Sequence, residues 1–89
     1  MKLVRFTALW CADCIVMRPR WEKTFNDRSD IIIEDFDFDD HEEEAKKYRI
    51  TRVPQLIVLD EENVEHVRLV GMQDQDSIDD LVKKYFNNK

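Results

Sequence analysis

Two cysteines separated by two residues, Cys11-Ala12-Asp13-Cys14, are the residues best suited to chemistry in this chain. They follow an apolar stretch, Leu3, Val4, Phe6 and Leu9, and they open a stretch with helical spacing. A thiolate attacks a disulfide sulfur, and a second thiol nearby resolves the mixed disulfide that forms. A helix start offers unpaired N–H groups and the positive end of the helix dipole, and both favour a thiolate on Cys11. One turn later, Cys14 is adjacent to Cys11 but farther into the protein. Cys11 is therefore the expected nucleophile and Cys14 the resolving thiol. Two other readings stay open: half of a zinc site, or a pair of inert buried thiols. A structural zinc needs about four ligands, and the other strong candidates, His41 and His66, form no paired knuckle. No metal and no prosthetic group is expected.

Positioning the pair requires a strand before it and a helix after it. Lys2 to Leu9 reads as the strand, and Ala12 to Phe25 as the helix, with Ile15, Val16, Trp21 and Phe25 facing the core. Pro19 removes a hydrogen bond within that helix and kinks it. Ile31-Ile32-Ile33 opens a second strand running to Phe38, and three consecutive isoleucines suit a central place in a sheet. Asp39 or Asp40 caps a short helix to Tyr48, with Glu42 or Glu43 completing a capping box. Gln55 to Leu59 forms a third strand, Asp60 to Asn63 a turn, and Val64 to Val70 an alternating hairpin partner. Asn63 suits the left-handed conformation that the turn needs. Ser77 caps a last helix with Ile78, Leu81, Val82, Tyr85 and Phe86 as its apolar stripe. The order is β-α-β-α-β-β-α, an α/β fold with parallel crossovers and an antiparallel hairpin edge.

The acidic run from Asp35 to Glu44 places its aromatics on one strand face and its carboxylates on the other. Without a glycine it makes no calcium loop. With 89 residues the chain reads as a single domain, 1–89. A formal charge of −6 argues against nucleic acid as a partner, because phosphate attraction needs clustered Lys and Arg. No apolar run reaches the roughly 18 residues of a membrane span, and the first residues lack the pattern of a secretion signal. Cytoplasmic location is expected, where paired cysteines are more often catalytic or metal-binding than structural.

These elements and several fixed points together resemble the thioredoxin family from Leu3 to Phe86. Trp10-Cys11-Ala12-Asp13-Cys14 is similar to that family's Trp-Cys-Gly-Pro-Cys site, and Pro19 falls where its active-site helix kinks. Lys47 to Pro54 is similar to the segment leading to its cis-proline, and Val70-Gly71 to its Val-Gly step before the last helix. The resemblance implies a thioredoxin-like three-layer sandwich with a four-stranded mixed sheet, lacking the usual first strand and helix. It implies a cis Val53–Pro54 bond facing the cysteines, whereas physics alone also allows a trans proline starting an edge strand. It further implies a protein disulfide reductase acting on disulfide-bearing proteins. A flavin-dependent thioredoxin reductase or glutathione would donate electrons, and the chain would work as a monomer. Trp10, Ala12, Asp13, Val53, Pro54 and Gly71 would meet substrate, with Trp10 on the rim rather than in the core.

Three departures qualify this. The length approaches a glutaredoxin, as does Thr51-x-Val53-Pro54, although Trp10 and the absence of a glycine pair after the hairpin point away. Asp13 replaces a neutral residue and disfavours a thiolate beside it, while suiting the helix start. Arg5 stands where thioredoxins carry a buried Asp, and Asp35 where they carry its Lys partner. An Arg5–Asp35 pair below Cys14, with Asp35 as proton relay, is one expectation; an Arg5 running unpaired to solvent is the other. Two further functional readings remain: a glutathione-coupled reductase, and a non-catalytic binding module.

Overall fold

A computed structural model describes residues 1–86. Its elements are β1 (Lys2–Thr7), α1 (Ala12–Phe25), β2 (Ile33–Asp37), α2 (Glu42–Lys47), β3 (Gln55–Leu59), β4 (Glu65–Val70) and α3 (Gln75–Phe86). The strands lie in the order β2-β1-β3-β4. The β1–β2 pair is parallel and the other two pairs are antiparallel. The expected order and mixed four-stranded sheet are both present.

Strand alternation sends successive side chains to opposite faces, and each face buries against different helices. Leu3, Leu56 and Val58 pack with Leu81, Val82 and Phe86 of α3. Met17 and Trp21 of α1 meet Ile78 of α3 beside them. On the other face Val4, Phe6, Ile57 and Leu59 pack with Ala45 of α2. The result is three layers, with α1 and α3 on one side of the sheet and α2 on the other.

Five local expectations need correction. The strand entering the cysteines ends at Thr7, and Leu9 is 90% exposed in the loop. The triple isoleucine does not mark a central strand, since β2 is at the sheet edge. Ile31 is buried before the strand begins, Ile32 is 62% exposed and Ile33 alone enters β2. The fully buried central strand is β3, whose five residues are all enclosed. The core face of α1 is Cys14, Met17 and Trp21, so Ile15 and Val16 point outward. His41, without a side-chain cap bond, precedes α2; Asp39 and Asp40 do not cap it. The N–H of Ser77 donates to Asp74 Oδ1 at 2.9 Å, so Asp74, not Ser77, supplies the cap of α3. Pro19 lies inside α1. Asn63 takes φ of 65° in the hairpin turn, as its residue type allows.

Candidate active site

The cysteines sit where β1 hands over to α1. Cys11 is the residue before the helix, with extended dihedrals, and its amide donates to the Ala8 carbonyl at 3.2 Å. The Cys14 amide donates to Cys11 Sγ at 3.1 Å, so one of the unpaired donors at the helix start points at that sulfur. The two sulfurs are paired, with Cα atoms 5.3 Å apart. Cys14 is 0% exposed and Cys11 5%, both against Ala8, Phe38 and Val53. Negative charge on Cys11 is favoured by the amide aimed at it and by the helix dipole.

The loop before β3 closes the site from the opposite side. The Val53–Pro54 peptide is cis, and the Val53 carbonyl oxygen lies 3.6 Å from Cys11 Sγ. Two contacts hold this loop. Gly71 donates its N–H to the Pro54 carbonyl at 2.8 Å, and its φ of 79° is one that a side chain disfavours. Gln55, only 3% exposed, donates Nε2 to the Arg52 carbonyl at 2.9 Å. Its Oε1 accepts from Arg68 Nη1 at 2.9 Å, and Arg68 also forks onto Glu65 at 3.0 and 2.7 Å. The Arg68 hydrogen bonds hold the Glu65 carboxyl below its usual range, against its partial burial. Sequence reasoning missed Gln55. Its signal was available: one polar residue directly after Pro54, heading the otherwise apolar run Leu56-Ile57-Val58-Leu59.

Trp10 lies on the rim, 64% exposed. Its Nε1 donates to Asp39 Oδ2 at 2.7 Å, and its ring meets Phe38 edge-on at 6.4 Å. Local patterns mark Asp39 as a helix cap and as part of the acidic run; its contact with Trp10 joins two segments 29 residues apart, beyond the reach of such patterns. Ala12 and Asp13 are exposed in the first turn of α1. Pro19 lies farther along the same helix, outside the contacts of the sulfurs.

Arg5 and Asp35 do form the expected pair. They are register partners across β1 and β2, with Arg5 Nε and Nη2 donating to the two carboxylate oxygens at 2.5 and 2.9 Å. The Arg5 guanidinium lies 4.9 Å from the centre of the Trp21 ring, two turns beyond Cys14 on α1. Asp35 is 57% exposed at its side chain, and its hydrogen bonds go to Arg5 and to neither sulfur. The geometry brings the pair together at the sheet edge and puts no Asp35 oxygen on Cys14. β2 is the edge strand, so the Asp35 carboxylate opens to water.

Among the described residues, no three His, Cys, Asp or Glu side chains gather to hold a metal ion. No helix there is long and apolar enough to cross a membrane. The arrangement can exchange a dithiol for a disulfide beside a cis-proline loop.

Comparison with known proteins agrees with this geometry. The family model described as Thioredoxin matches residues 1–84. A thioredoxin of Mycoplasma genitalium is 35% identical over 86 residues, covering 97% of this chain and 79% of that protein. A thioredoxin of Chlamydia caviae is 31% identical over 83 residues, covering 93% and 80%. A protein disulfide-isomerase of Schizosaccharomyces pombe is 34% identical over 85 residues, 92% of this chain, but the chain spans only 24% of that protein's length. Among solved structures, a thioredoxin of Schistosoma mansoni superposes with a TM-score of 0.79 at 30% identity, covering 94% of this chain and 77% of the other. With its Cys-x-x-Cys pair at the helix start and a cis-proline opposite, the chain belongs to the thioredoxin family and is a thiol–disulfide oxidoreductase.

Proposed function

We propose that this chain reduces disulfides in other proteins, with Cys11 as nucleophile and Cys14 as resolving thiol. The observation that supports it best is the Cys14 amide aimed at Cys11 Sγ at 3.1 Å, with Cys14 itself fully enclosed. The Cys11 thiolate attacks one substrate sulfur, forming a bond to it and breaking the substrate disulfide. The released substrate thiolate takes up a proton. Cys14 then loses its proton and attacks Cys11 Sγ, expelling the second substrate thiol. The two protein thiols end as a disulfide and the substrate has gained two electrons. A flavin-dependent thioredoxin reductase restores the dithiol in this reading, glutathione in its close variant, and both place the chain in a reducing compartment such as the cytoplasm. In this reading Trp10, Ala12, Asp13, Val53, Pro54 and Gly71 meet the substrate chain. The isomerase relative favours a second reading, in which the net direction is oxidation or isomerisation.

The reduction potential separates these readings. Equilibration with defined glutathione ratios is expected to give about −270 mV, the thioredoxin benchmark. A value above roughly −200 mV would favour the glutathione-coupled or oxidising role. No intramolecular disulfide at any ratio would reject the mechanism and leave a binding module. In parallel, reduced Cys14→Ser is expected to attack a disulfide of oxidised insulin and remain trapped as the mixed disulfide, and Cys11→Ser to trap none.

A further inference from the structure

The sheet brings four chain segments side by side at the end that carries the cysteines. Asp39 follows β2, Cys11 follows β1, Val53 and Pro54 precede β3, and Gly71 follows β4. Because the strand order is β2-β1-β3-β4, these residues line up across the molecule in that order. Strands lie about 4.8 Å apart, so the line is about 14 Å long. An extended segment of four or five residues spans it, at roughly 3.3 Å per residue.

The two ends of this line carry opposite charge. At the β2 end, exposed Asp39 holds the indole of exposed Trp10. At the β4 end, Arg52 is exposed and its Nη2 lies 3.4 Å from where a Cβ on Gly71 would stand. The Arg52 backbone is fixed by Gln55, while its guanidinium takes no hydrogen bond or ion pair among the described residues. Around Cys11 the exposed residues are Leu9, Trp10, Ala12 and Asp13, and Met72 is exposed next to Gly71. A chain of net charge −6 would by itself favour any basic partner. The free Arg52 beside the cis-proline loop makes the site itself two-signed.

We propose that the Asp39–Cys11–Val53–Arg52 line is a charge-polarised docking track. It favours disulfides in polypeptide segments that carry a basic residue on one side of the reacting cysteine and an acidic residue on the other. The basic residue lies toward Trp10 and Asp39, and the acidic residue lies toward Gly71 and Arg52. This deepens the reductase reading above and rests on it.

The test uses short peptides in which one cysteine carries a thionitrobenzoate mixed disulfide, so that attack releases a coloured thiolate. Five versions differ only in the residues flanking the cysteine: both neutral, both basic, both acidic, and one of each in either order. With the reduced protein at low salt, the better mixed-charge order is expected to react about threefold faster than the doubly basic peptide, the gain of one exposed ion pair. That advantage fades when ionic strength approaches about 0.5 M. Arg52→Gln is expected to make the doubly basic peptide the fastest. A monotonic order of basic, mixed, acidic in the unsubstituted protein would overturn the track and leave only net charge at work. Equal rates for all charged peptides would overturn it too. If even the neutral peptide releases no thiolate, the reductase reading itself fails and the track falls with it.

Discussion

Gln55→Leu tests whether the cis-proline loop is held by the one buried polar side chain beneath it. Gln55 makes two hydrogen bonds from a position 3% exposed, to the Arg52 carbonyl and from Arg68. Leucine has a similar volume and suits the apolar neighbours in β3, so no cavity opens. Arg68 keeps its fork on Glu65, and the main loss falls on the Arg52 carbonyl. Leaving a partly buried acceptor without its donor costs about 1–3 kcal/mol. For a domain of this size that corresponds to a fall in melting temperature of about 4–8 °C for each kcal/mol. The functional effect should be selective. Val53, one residue after Arg52, faces Cys11 Sγ, so a loosened loop hinders docking of a polypeptide more than attack on a small aromatic disulfide. Urea unfolding of the oxidised protein measures the first effect. The ratio of insulin reduction to small-disulfide reduction measures the second, and is expected to drop several-fold. Gln55→Glu separates the two bonds, since it keeps the acceptor for Arg68 and loses the donor to Arg52. Full stability together with an unchanged substrate ratio in Gln55→Leu would refute the reasoning.

Gly71→Ala is expected to cost about 1–2 kcal/mol in urea unfolding, because φ of 79° is unfavourable for a side chain while the nearest atom, on flexible Arg52, is 3.4 Å away and can yield. Asp35→Asn should leave the pH profile of mixed-disulfide resolution unchanged, since Asp35 hydrogen-bonds Arg5 and neither sulfur; a profile shifted by stopped-flow measurement would restore the relay. The Asp74 carboxyl is held below its usual value first by the Ser77 backbone N–H. A folded-state value depressed in this way adds stability above the unfolded value, near 3.8, that is lost as pH falls through the folded value. Wild type is therefore expected to exceed Asp74→Ala in urea melts at neutral pH, with a gap that narrows in acid below that value.

The sequence by itself determined the elements and the chemistry, and it did so where the physics is local. The spacing of Cys11 and Cys14 after a strand set both the thiol pair and its place at a helix start. The stripe Ile78, Leu81, Val82 and Phe86 determined α3, and Asn63 the hairpin turn, because side-chain periodicity and backbone preference act over a few residues. Pairings between distant segments needed the folded chain. Ile31-Ile32-Ile33 suggested a central strand, yet position in a sheet depends on which strands cover both edges, and β2 is covered on one edge only. The Arg5–Asp35 pair followed from the family alignment, but only the sheet showed that it opens to water at an edge under Trp21. The contacts of Gln55 with Arg68 and of Asp39 with Trp10 needed the fold, because they join distant segments. A helix start and a pair of thiols are written in neighbouring residues; the loop that faces them, and the charges at its two ends, exist only after tertiary packing brings four strand ends into one line.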